Sequence, residues 1–127
     1  MLIRGNASIS GSCEFNKYSI LQINSGFNSA INYVDFTTAG TKIINCLNVL
    51  GDKVSITGIN YAPNREVKLF LLTTGSVNQF IYPSGNNGWH WITSRPSGIN
   101  SGKALVITLV STGTSDAGCY ASFGMEI

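Results

Sequence analysis

This 127-residue chain predicts an all-β fold: an antiparallel β-sandwich or barrel, with about ten strands and no long helix. Three observations carry that expectation. Ser, Asn and Gly supply 42 residues and Ile, Val and Thr another 31, so turn formers and strand formers dominate. Every stretch of about ten residues holds a Gly, a Pro, an Asn cluster or a β-branched run, all poor in helix interiors. Short apolar segments recur at intervals of roughly 8–14 residues with turn residues between them.

The elements follow in order. Strands Ala7–Cys13 and Tyr18–Ile23 flank the turn Glu14-Phe15-Asn16-Lys17. Ala30–Thr37 follows the loop Asn24–Ser29, and Lys42–Val49 follows Thr38-Ala39-Gly40. Lys53–Tyr61 follows the turn Leu50-Gly51-Asp52, and Glu66–Thr74 follows Ala62-Pro63-Asn64-Arg65. The short strands Asn78–Tyr82 and Gly88–Thr93 lie either side of Pro83–Asn87. Ala104–Ser111 and Gly118–Ile127 close the chain after the loops Ser94–Lys103 and Thr112–Ala117. With no repeat, linker or low-complexity segment between them, residues 1–127 read as a single domain.

Alternation assigns faces, because successive side chains of a strand point to opposite sides. In the last strand Cys119, Ala121, Phe123, Met125 and Ile127 share one face, and Tyr120, Ser122, Gly124 and Glu126 the other. Leu105, Ile107 and Leu109 form another inward row. Glu66–Thr74 is apolar on both faces, with Val67, Leu69 and Leu71 opposed by Phe70 and Leu72. That strand is expected to be central or to have its second face covered.

Charged residues make up 11% of the chain, where about a quarter is usual, and the net charge is +2. This excludes an acidic tail, a basic arm and charge-driven disorder. The eight basic residues are scattered from Arg4 to Lys103, so no nucleic-acid partner is expected. The first residues lack the apolar run of about 7–15 that a signal peptide needs, and no stretch approaches the roughly 20 of a membrane helix. Neither export by a standard signal nor a membrane partner is expected. Cys13, Cys46 and Cys119 contain no C-x-x-C pair and read as three small buried residues, with a Cys46–Cys119 bridge left open.

His90 stands alone, with no carboxylate or cysteine near it in sequence. No phosphate loop, zinc motif or paired-carboxylate arrangement accompanies it. The chain is therefore read as a non-enzyme, without cofactor or metal. Sugars stack their apolar faces on exposed rings and take hydrogen bonds from amides and guanidinium groups. Trp89, Trp91, Tyr82, Asn86, Asn87 and Arg95 lie close in sequence and make the candidate glycan site. Trp89 and Trp91 are two apart in a strand, so either both enter the core or both line a surface.

The second half runs Gly51-Asp52-Lys53-Val54-Ser55-Ile56-Thr57-Gly58, Val67-Lys68-Leu69-Phe70-Leu71, Trp89-His90-Trp91, Ala104-Leu105-Val106-Ile107-Thr108-Leu109 and Gly118-Cys119-Tyr120-Ala121-Ser122-Phe123. This order resembles jelly-roll carbohydrate-binding modules of glycoside hydrolases and their galactose-binding-like relatives, over roughly residues 18–127. Such modules often hold a structural calcium. Here Glu14, Asp35, Asp52, Glu66, Asp116 and Glu126 are scattered, and no calcium cage is expected. Asp116-x-Gly118-x-Tyr120 is similar to the tyrosine corner of immunoglobulin domains, but Ser122 stands where that pattern needs a cysteine.

A module of this type without a signal or an attached catalytic domain fits a phage virion. Sparse charge, abundant amides and hydroxyls, and strands apolar on both faces suit burial against neighbouring copies. The expected function is that of a virion accessory protein: a capsid decoration (cement) protein or a small tail or fibre component. It would be assembled in the host cytoplasm as a homotrimer and bind virion proteins such as the major capsid protein. A glycan-binding module or lectin using the aromatics above is the alternative.

Overall fold

A computed structural model describes residues 18–23, 27–28, 30–37, 39–46, 49–73 and 75–126. The expected strand Ala7–Cys13 lies outside the described residues, as do Cys13 and Ile127. The described strands are β1 (Tyr18–Ile23), β2 (Ile31–Asp35), β3 (Gly40–Cys46), β4 (Lys53–Ile59), β5 (Arg65–Leu72), β6 (Gln79–Ile81), β7 (His90–Trp91), β8 (Ala104–Ser111) and β9 (Cys119–Met125). A single 3-10 turn, Asp116–Gly118, precedes β9, and no α-helix occurs among the described residues. The all-β expectation holds.

The strands form a six-stranded sheet of order β1-β3-β5-β8-β9-β7 and a three-stranded sheet of order β2-β4-β6. From β1 to β6 the chain changes sheet at every connection and returns beside itself one winding later. Tyr18 lies next to Thr41, and Thr41 next to Glu66. In the smaller sheet Ile31 lies next to Ser55, and Ser55 next to Ile81. All four of these pairings are parallel, and so is β7 with β9. Only β5/β8 and β8/β9 are antiparallel.

This corrects the expectation of an antiparallel jelly roll: nine strands lie among the described residues, and their sheets are parallel or mixed. The physical reason lies in the connections. Alternation reports which face of a strand is buried, and turn residues report where it ends. Neither distinguishes a hairpin, which returns the chain to the same sheet, from an arch, which carries it across to the opposite one. The arches here use left-handed residues at their corners: Gly51 (φ 129°) before β4, and Asn60 (φ 57°) and Asn64 (φ 62°) between β4 and β5.

Inward residues of both sheets meet in one buried cluster. Val34, Val54, Ile56 and Phe80 come from the smaller sheet. Ile44, Cys46, Val67, Leu69, Leu71, Leu105, Ile107, Leu109, Cys119 and Ala121 come from the larger. Each such aliphatic side chain contributes about 1.5–3 kcal/mol by leaving water. β5 lies between β3 and β8, as its doubly apolar pattern required, and its outer residues Phe70 and Leu72 are half-buried. The inward face of β9 opens along its length: Cys119 and Ala121 are buried, Phe123 is half-buried and Met125 exposed.

Candidate functional site

The site is built where β6 ends. Strand β4 is seven residues long, but β6 accompanies only Lys53–Ser55. The ladder bond there runs from the Gln79 N–H to the Asp52 carbonyl at 3.0 Å. Two residues on, Ile81 lies beside Ser55. Two further on, the same register would bring Pro83 beside Thr57 with its nitrogen toward the Ile56 carbonyl, and proline has no N–H to give. The ladder therefore stops at Ile81. Beyond it a shallow cleft of about 320 Å³ opens over β4, reaching from Ile31 of β2 across Ser55, Ile56 and Thr57 to Ile81, Tyr82, Pro83 and Asp116.

An aromatic group closes the inner wall. Tyr82 packs 4.9 Å from Trp91 in an edge-on contact and 5.8 Å from Trp89, with the two indoles 6.2 Å apart. Trp89 Nε1 donates to the Tyr61 hydroxyl at 2.8 Å, and that hydroxyl donates to Asp116 Oδ1 at 2.5 Å. Tyr61 also stacks on Phe36, 4.9 Å between centroids. It folds back over Gly58, where a Cβ would lie 2.4 Å from the Tyr61 oxygen. Glycine is thus required at that position by close approach. Burial, and secondarily the hydrogen bond to Asp116, push the Tyr61 hydroxyl well above its ordinary pKa. Burial raises Tyr82 likewise, opposed by the nearby positive charge of Arg95. Both phenols stay protonated and act as donors throughout the neutral range.

The six residues of the expected glycan site are only partly brought together. Trp89 is 4% exposed and Tyr82 6%, so neither offers an open ring face to a sugar. Trp91 is half-buried, and its Nε1 is buried without a hydrogen-bond partner. The two tryptophans do share a side, and that side packs against the core. Asn86 and Asn87 are exposed in the loop that Gly85 (φ 83°) turns and that the Trp89 N–H closes onto the Pro83 carbonyl at 3.1 Å. Arg95 is exposed and lines, with Tyr82, Gln79 and Ser84, a second cleft of about 240 Å³. The Tyr82 hydroxyl itself donates to the Pro96 carbonyl at 2.9 Å.

The remaining candidates have structural partners. His90 Nε2 lies 2.8 Å from the Ala117 carbonyl, and the ring stacks on Tyr120. Cys46 and Cys119 are both free and buried, and burial pushes each thiol up to about 12. The bridge left open by the sequence is not formed. Among the described residues no group of three His, Cys, Asp or Glu converges as a metal site, and no helix is long and apolar enough to cross a membrane. A third cleft, of about 340 Å³ around Val77 and Ile99, has no titratable side chain in its wall.

Sequence reasoning missed Tyr61 and Asp116 as a pair. Their contact spans 55 residues, and no local pattern announces it. It also missed the outer face of the smaller sheet. There Ile31 (60% exposed), Tyr33 (52%), Ile81 (42%) and Ile59 (38%) face solvent. Register places Ile31, Ser55 and Ile81 in one row across all three strands. The alternation of β2 and β4 was visible, but an apolar residue on an alternate position gives no sign of which alternate faces inward.

Comparison of the chain with family models, curated proteins and solved structures found no match.

Proposed function

We propose that this chain is a structural component of a larger particle, a virion accessory protein that acts through protein–protein contacts. It would serve as a capsid decoration protein or a small tail or fibre part, assembled in the host cytoplasm. The observation that carries this reading is the outer face of the smaller sheet, with Ile31, Tyr33, Ile59 and Ile81 all exposed. Four large apolar side chains exposed on one face of a sheet, with Ser55 and Thr57 between them, mark a candidate interaction site. Among the described residues β2 is the edge strand beside it, so backbone pairing groups border the same surface. Self-association as a trimer is the expected form.

Light scattering during gel filtration tests this. The wild-type chain is expected to elute as a trimer, and an Ile31→Lys, Tyr33→Lys double variant as a folded monomer with an unchanged far-UV spectrum and a thermal midpoint that no longer depends on concentration. A wild-type monomer at about 100 µM would overturn the reading, because a working interface associates at such concentrations.

Glycan binding remains a second reading on one observation: Arg95 and Tyr82 border a common cleft with Gln79 and Ser84. A glycan array probed with the wild-type chain and Arg95→Ala separates the two. Binding that is lost in the variant favours the lectin reading, and a blank array disfavours it.

A further inference from the structure

We propose that the edge of β4 at Ile56–Ile59, which no strand accompanies among the described residues on the side where β6 stops, is a strand-addition site that takes an extended segment of a partner protein carrying a lysine or arginine. The inference rests on the assembly reading above and names the chemistry of the partner. The first support is the ladder. The Phe36 N–H donates to the Ile59 carbonyl at 3.0 Å, so the odd-numbered residues of β4 turn their backbone groups toward β2. Ile56 and Gly58 turn theirs the other way, toward the side that β6 has left. Pro83 denies the Ile56 carbonyl a ladder donor. An added strand would supply one, as extended peptides do at exposed sheet edges.

The second support is the cleft that runs from Ile31 across the outer face of β4 to that edge. Its volume of about 320 Å³ accommodates a long side chain. Ile81 and Pro83 present apolar surface suited to an aliphatic stem, and Asp116 is the one charged residue in the wall. Tyr61 fixes Asp116 by hydrogen bonding to Oδ1. A basic side chain entering there lays its stem on the apolar wall and its charge on the carboxylate. An acidic segment would meet like charge, which selects against it.

The test uses the full chain and a fluorescein-labelled peptide, Thr-Val-Lys-Val-Thr-Val-Ser, followed by anisotropy and by amide NMR. The peptide is expected to bind, to shift the Gly58 amide and to protect it from exchange. Asp116→Asn keeps an oxygen for Tyr61 to bond and is expected to weaken binding about tenfold. It should have no effect on the same peptide with norleucine for lysine. A version N-methylated at alternate residues is expected not to bind. The proposal is overturned by no binding at about 1 mM peptide, by equal binding of the N-methylated form, or by shifts at Ile31 and Tyr33 with Gly58 unmoved. Loss of the edge site in a chain that is still a trimer leaves the assembly reading standing. A monomer that takes the peptide does the reverse.

Discussion

The winding from β1 to β6 and the hairpin of β8 and β9 bury their strands in one core but are built on different rules. In the winding, every ladder partner lies a full turn away, as Thr41 does from Glu66. In the hairpin, Ser111 and Cys119 pair across a connection of a few residues. The winding has its register set by the length of its arches, and the hairpin by its turn. They meet twice. One junction is the β5/β8 ladder, with Leu69 beside Ile107. The other is the chain of bonds from Trp89 through Tyr61 to Asp116, which ties the corner after β4 to the turn before β9. The difference teaches that an apparent sandwich can be two constructions sharing an interior.

The largest expected effect breaks the junction. Leu69 is fully buried in β5, and Leu69→Ala is expected to cost about 2–5 kcal/mol in urea unfolding. Because both regions share the cluster, hydrogen exchange should accelerate together in β4 and β9. Protection that survives in β8 and β9 alone would show two separable units.

Gly58→Val comes next. The new side chain drives Tyr61 off its place over the backbone, at an expected cost of about 1–3 kcal/mol. Its effect should be felt at Asp116, across the junction, and NMR shifts of the Asp116–Gly118 amides check this.

Alkaline pH addresses each region through one thiol, Cys46 in the winding and Cys119 in the hairpin. Burial raises each from an ordinary 9.0 to about 12. A raised folded pKa means that the stability is intact below the unfolded value and is lost as pH climbs from 9.0 toward 12. By about pH 10 the loss is of order 1 kcal/mol per thiol. Urea midpoints for Cys46→Ala and Cys119→Ala, normalised to neutral pH, should each recover one share of the alkaline decline. Recovery in only one would place the burial penalty in one region.

Tyr61→Phe is the mildest change, at about 1 kcal/mol. It removes the hydroxyl between Trp89 and Asp116 and keeps the ring on Phe36. A change in Trp89 emission without a large fall in stability is the expected signature. An unchanged spectrum would mean that the bond does not couple the two regions.

Much of the secondary structure was legible. Tyr18–Ile23 and Ala104–Ser111 match their strands end to end, because turn residues bracket short runs of strand-forming residues. The pairing was not legible. The pattern Val67, Leu69, Leu71 reports an inward face, but nothing in it says that β3 lies on one side and β8 on the other. Trp89 and Trp91 were correctly placed on a common side, and their depth was open, since spacing carries direction and not distance from solvent. Pro83 was read as the start of a turn. That its missing N–H would leave a strand edge unaccompanied depends on β4, which lies a winding away.

The winding also has a consequence for how the chain finds this structure. Ribosomes deliver β1 to β6 first, and among the described residues none of them forms a hairpin with the next. β1 and β2 must each wait one winding, until β3 and β4, before a ladder partner exists, and closing such loops is slow. β3 to β6 each emerge beside a strand already made. The one local nucleus, β8 with β9, emerges last. Synthesis therefore leaves β5 with one flank unpaired until β8 arrives, the interval in which misassembly with other nascent copies competes with folding.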